Sequence, residues 1–231
     1  MQRSPDTRLL PMVMTRFNPL PAQEGGVRER PRSHPIPDSP TTGPADLSRW
    51  LDEHRQAIAE RWILEVCSRG EDLAPEVRAL LEEFVELVTS LLSPGLGAYR
   101  EQVERLFQEA AALYGNFGAR RGQAAGEAVE EFQVLREVVL RYLYLDPPGG
   151  RLEAVGLREL LQLNRLVDVG VAYASVGHTD TLFFNLFQGT GVTGSLTPPI
   201  LTEIGTQVKA IRDELDRLLE HAAGDAGSGA G

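Results

Sequence analysis

The 231-residue sequence predicts an all-α fold. The expected form is an antiparallel bundle of about five helices, with a globin-like arrangement as one variant, followed by a C-terminal heptad helix. Three observations predict it. Apolar residues recur every three to four positions through six segments from Asp46 onward. Alanine, leucine, glutamate and arginine dominate there, and β-branched and aromatic residues are sparse, which favours helix over strand. No segment alternates apolar and polar residues as a half-buried strand does.

The first helix is predicted over 46–68, with Leu47, Trp50, Leu51, His54, Ile58, Trp62 and Val66 in one stripe and Gly70 as its stop. The second covers 74–92, with Asp72 as a cap and Pro75 in the first turn; its stripe is Val77, Leu80, Leu81, Phe84, Leu87, Val88 and Leu91. The third covers 98–121 and carries Tyr99, Val103, Leu106, Ala110, Leu113, Tyr114 and Phe117; Gly122 ends or bends it. The fourth covers 124–145, with Ala128, Val129, Phe132, Leu135, Val139, Tyr142 and Leu143 on one side. The break Asp146-Pro147-Pro148-Gly149-Gly150 follows. The fifth is long, 152–188. Leu160, Leu163, Val167, Val171 and Ala174 hold one face, and Gly170 and Gly177 allow close packing or a bend. Phe183, Phe184, Leu186 and Phe187 are expected to tuck its end against the core.

The last helix is predicted over 198–223, capped by Thr197 and opened by Pro198 and Pro199. Leu201, Ile204, Val208, Ile211, Leu215 and Leu218 alternate steps of three and four, a heptad seam of nearly three repeats. Such a seam either packs on the bundle or pairs two chains. Around these helices, residues 1–45 hold nine prolines and form an expected disordered arm. Residues 189–197 form a glycine-rich linker, and 224–231 a disordered tail.

Net charge is −10. The first 45 residues hold six arginines against four acids, so the remainder is strongly acidic. An acidic surface repels phosphates, so no nucleic-acid partner is expected. Single Cys67 excludes an intrachain disulfide and fits the cytoplasm, and no segment is apolar enough for a membrane span.

Enzymatic signatures are missing. HExxH, CxxC, GxSxG and the P-loop lysine motif do not occur, and Lys209 is the sole lysine. Gly189-Thr190-Gly191-Val192-Thr193-Gly194 is formally GxGxxG. It follows a helix rather than a strand, so it reads as a connection and not a dinucleotide site. Glu-x-x-His pairs for a di-metal bundle site are lacking. No catalytic residue, metal site or cofactor is therefore expected. The acid clusters Glu82-Glu83-Glu86 and Glu127-Glu130-Glu131 read as solvated helix surface.

Two polar residues interrupt apolar faces. At 100° per residue, Arg136 falls inside the arc of Val129, Phe132, Val139 and Leu143. It must pair or snorkel there, with Asp168 and Asn164 as expected partners. The pair is either structural or a polar switch. His178 lies in line with Leu160, Val167, Val171 and Ala174, as a hydrogen-bonded core residue or a haem or metal ligand.

Residues 114–143, YGNFGARRGQAAGEAVEEFQVLREVVLRYL, resemble the central motif of the RsbRD N-terminal domain family. There a helix ending near Arg-Gly leads to a helix with a Glu-Phe/Tyr-x-x-Leu-Arg core, matched by Glu131, Phe132, Leu135, Arg136 and Glu137. Arg61-Trp62 and Val171-Ala172-Tyr173 resemble it too, so the likeness covers about residues 47–180. The resemblance implies an all-helical sensory domain of the kind that precedes STAS domains in stressosome co-antagonists of the RsbT kinase, and kinase domains in some sensors. Neither output domain follows in this sequence. The expectation is a non-catalytic input module that acts through signalling partner proteins or as a homodimer, with a haem- or metal-binding bundle as the alternative.

Overall fold

The computed structural model describes residues 44–68, 73–150, 155–187 and 196–228, with side chains from 46 to 222. The Pro-rich arm, the Gly70 stop, the Asp72 cap and the GxGxxG segment lie outside the described residues. Six α-helices follow one another: α1 (Pro44–Cys67), α2 (Pro75–Leu92), α3 (Arg100–Arg121), α4 (Ala125–Leu145), α5 (Leu157–Phe187) and α6 (Pro198–Ser228). Short 3₁₀ turns at Pro94–Leu96 and Pro148–Gly150 mark two of the corners. Among the described residues there is no strand, and no helix is long and apolar enough to cross a membrane. The all-α bundle predicted above is thus the fold.

Helix ends follow local chemistry. Pro75 opens α2, where its missing N–H is no loss. Gly122 closes α3 in the left-handed conformation (φ 84°). Its N–H and that of Gln123 bond back to Ala119 O and Gly118 O, both at 3.1 Å. At the start of α4, the Glu127 carboxylate accepts the Ala124 N–H at 2.6 Å. Two boundaries differ from the sequence reading by more than two residues. Helix α5 begins at Leu157 rather than 152, and α6 runs to Ser228, past the expected stop at Gly224.

The core forms where α3 and α5 cross, flanked by α4 on α5 and by α1 and α2 on the other side. Glycine at the crossing brings the backbones together. A Cβ on Gly115 would lie 1.8 Å from Ala174 O, and one on Gly177 would lie 1.9 Å from Ala112 O. Gly170 makes room for the rings of Phe132 and Phe107. Close packing, rather than a bend, is what these glycines provide. An aromatic cluster of Trp62, Phe84, Tyr114, Phe117 and Phe132 fills the adjoining volume, with centroids 5.4–6.1 Å apart. Cys67 is half-buried at the end of α1 and free.

Helix α6 lies across α2 and α3. Ile204, Val208, Ile211 and Leu215 of its seam are buried there, while Leu201 and Leu218 are half-buried. Of the two roles open to the seam, packing on the bundle is the one seen. A dimer through these six residues would require α6 to leave its own chain. One expectation is corrected outright. Phe183, Phe184, Leu186 and Phe187 do not tuck inward but are exposed, Phe187 by 90%. On α5, Phe183, Leu186 and Phe187 fall outside the arc that Gly170, Ala174 and Gly177 press against α3, and Phe184 stands at its edge, beside Ala112 and Leu113.

Candidate functional site

Arg136 and Asp168, named from the sequence, do pair, across the α4–α5 contact. Their setting is the surface. The side chains are 31% and 65% exposed, where such a pair contributes about 0–1 kcal/mol. Asn164 does not join them; it donates to Leu160 O of its own helix at 2.9 Å.

The physical reason is a rotation of α4. Its buried face centres on Ala128, Glu131, Leu135 and Val138, which turns Arg136 to the rim and carries Glu131 inside. Glu131 is 3% exposed, so placing it on solvated surface is corrected. The signal was present in the sequence, because Glu131, Leu135 and Val138 follow the i, i+4, i+7 rule for one helix face.

Glu131 is the centre of a buried polar knot that joins α1, α3, α4 and α5. The Tyr114 hydroxyl donates to Oε2. The Gln123 amide donates to Oε1 at 2.7 Å. The Arg121 guanidinium stands 3.8 Å from Oε1, its side chain 3% exposed, with Cζ 5.3 Å above the Phe117 ring. The Trp62 indole donates to Glu131 O at 2.8 Å, tying α1 to α4. The αL turn at Gly122 is what sends Gln123 back into the bundle. Gly118 leaves space for its amide, since a Cβ there would lie 2.7 Å from Oε1.

His178 is buried on α5, with Nε2 2.8 Å from Gln123 O. A carbonyl only accepts, so Nε2 is the donor there, and the buried Nδ1 has no hydrogen-bond partner among the described residues. The ring therefore bridges α5 to the turn after α3 and is packed by protein at 1% exposure. No group of three or more His, Cys, Asp or Glu side chains among the described residues could hold a metal ion.

Burial, and behind it the Glu131 charge, pushes the Tyr114 phenol well above its usual value. The sign follows directly. The unfolded chain gives up this proton above about pH 10 and the folded one does not. The native preference for neutral tyrosine is fully present below pH 10 and is lost as pH rises beyond it. Tyr114→Phe should flatten the fall in stability between pH 9 and pH 11 relative to wild type, in urea melts at each pH. An unchanged slope would place the alkaline loss elsewhere.

All five side chains of the knot are shielded from solvent, and each carboxylate oxygen accepts a hydrogen bond from within the bundle, which suits a structural clasp better than a catalytic base. Space for a ligand lies elsewhere, in a groove of about 780 Å³ between α1, α2 and α6. Ala59, Ile63, Val85 and Leu215 supply apolar walls, and Asp52 and Glu82 acidic ones. Arg212 of α6 reaches across to Glu86 Oε2 at 3.5 Å and donates to Glu83 O at 3.3 Å, so the groove is closed on one side by α6 itself. No protein-family model, curated protein or solved structure matches this chain.

Proposed function

We propose that this chain is a non-catalytic sensory or regulatory domain of the cytoplasm that acts in signal transduction through protein contacts and as a homodimer. The single observation behind this reading is the placement of α6. The helix is an amphipathic rod laid across α2 and α3, and it forms one wall of the groove. A molecule bound in the groove touches α6 and the bundle at once, so it has different affinities for the seated and released states. Such a difference is what couples binding to a conformational change. Inverting a 1:99 population takes about 5.5 kcal/mol of differential affinity. The likeness of residues 114–143 to the RsbRD N-terminal family supports an input role, and a stressosome setting rests on that likeness alone.

Val208→Asp tests the reading. Val208 is 1% exposed on the seam, and a carboxylate there should release α6 while α1–α5 stay folded. Hydrogen exchange should then speed up along α6 and along the α2 and α3 surfaces beneath it. Wild type and variant are next used as baits in native-cell extract. A partner retained by one form and not the other supports a regulated contact. Identical partner sets, with α6 shown to be released, would overturn it.

A further inference from the structure

We propose that the outer face of α5 is a contact between two copies of this chain, packed antiparallel about a two-fold axis at Ala172; this rests on the homodimer reading above and assigns it a surface. A helix on the outside of a domain carries polar residues opposite its buried stripe, and a helix apolar all round is covered on all sides. Helix α5 breaks the first rule. Its inward arc packs on α3 and α4 through residues such as Val167, Gly170 and Ala174. Its outward ridge is also largely apolar, with Leu157 (70% exposed), Leu161, Val176, Phe183 and Phe187 all open to solvent.

The area is what a dimer needs. Leu157, Leu161, Val176, Phe183 and Phe187 are half to nine-tenths exposed, and since an aromatic side chain offers about 150–250 Å² and an aliphatic one less, the five leave on the order of 600 Å² uncovered. That reaches the top of the roughly 300–600 Å² range of the largest patch on a typical monomer and the lower end of the roughly 600–1,000 Å² that each partner buries in a specific interface.

The ridge is self-complementary. Leu157, Leu161, Arg165, Asp168, Ala172, Val176, Thr179, Phe183 and Phe187 follow steps of four, four and three, an 11-residue period that keeps to one side of an almost straight helix. Reversing the helix about Ala172 sets Leu161 opposite Phe183 of the second copy and Leu157 opposite its Phe187. The small Ala172 meets itself where the axes come closest. Exposed Arg165 falls on the same side as exposed Asp180 of the second copy. A two-fold contact demands this reciprocity, in which residue i meets j and j meets i. A parallel pair would instead set Arg165 against Arg165 and Asp180 against Asp180, which like-charge repulsion opposes.

Sedimentation of the full chain tests both levels. Wild type is expected at twice 25.3 kDa. Leu161→Asp with Phe183→Asp, both on exposed positions, should give the monomer mass with an unchanged helical spectrum. Arg165→Asp and Asp180→Arg should each weaken dimerisation roughly tenfold, and the two together should restore it. Ala172→Cys in a Cys67→Ser background should form a cross-linked dimer under mild oxidation. A wild type that sediments as a monomer at every concentration overturns the homodimer reading and this surface together. A wild-type dimer that survives Leu161→Asp with Phe183→Asp, or that leaves Ala172→Cys uncross-linked, overturns the α5 surface alone.

Discussion

Gly177→Val is expected to cost more than about 3 kcal/mol and to leave much of the chain unfolded at 37 °C. A valine Cβ would stand 1.9 Å from the Ala112 carbonyl oxygen and 2.8 Å from its Cα. Those are backbone atoms, which cannot rotate away as a side chain does. Helices α3 and α5 would have to separate along the contact that holds the core, and overpacking of a closed site already costs about 1–3 kcal/mol where side chains alone must adjust. Gly115 faces Ala174 O in the same way, so Gly115→Val should behave alike. Gly126 supplies the control, since a Cβ there meets nothing within 4 Å. Gly126→Ala in α4 should stabilise by about 0.4–1 kcal/mol through helix propensity and a less flexible unfolded chain. Urea midpoints of the three variants against wild type decide it. A Gly177→Val loss no larger than about 1 kcal/mol would mean that the two helices do not meet at this glycine.

Glu131→Ala is expected to cost about 3–5 kcal/mol, the range for removing one partner of a buried ion pair. The loss comes from what stays behind. The Tyr114 hydroxyl and the Gln123 amide lose their acceptor, and the buried Arg121 guanidinium loses its counter-charge 3.8 Å away. Glu131→Gln keeps an acceptor oxygen for Tyr114 and should cost less. Removing both charges, Glu131→Leu with Arg121→Met, should recover much of the loss, because a buried pair replaced by apolar groups of similar size is often neutral or better. Thermal melts of the three variants give the comparison. A Glu131→Ala variant within about 1 kcal/mol of wild type would remove the knot as a fixed point of the fold.

The six helices were legible because each apolar stripe is long and regular. Leu80 through Leu91 in α2 and Ile204 through Leu215 in α6 repeat at helical spacing, and the burial of both stripes follows that spacing. Part of the polar placement was legible too. His178 was placed on an apolar face and is buried, and Arg136 was given Asp168 as its partner and has it. Glu131 was missed because a carboxylate that follows two other acids, Glu127 and Glu130, reads as surface unless the helix is turned. The turn is set by Phe132 meeting Gly170 on another helix, which no single helical wheel contains. Gln123 was missed for a related reason, since a glycine with positive φ aims it inward and its partners come from α4 and α5.

Local pattern by itself determined which segments are helices, where Gly122 and Pro147-Pro148 break them, and that the chain buries a leucine-rich core. These follow from short-range sterics and from the spacing at which one face of a helix repeats. Only the tertiary structure decided which side of α4 faces inward, that the α6 seam seats on α2 and α3, and that the end of α5 keeps its aromatics outside. Each of those depends on the shape a neighbouring helix presents, glycine against backbone or ring against glycine, and a periodicity along one segment carries no information about the surface it will meet.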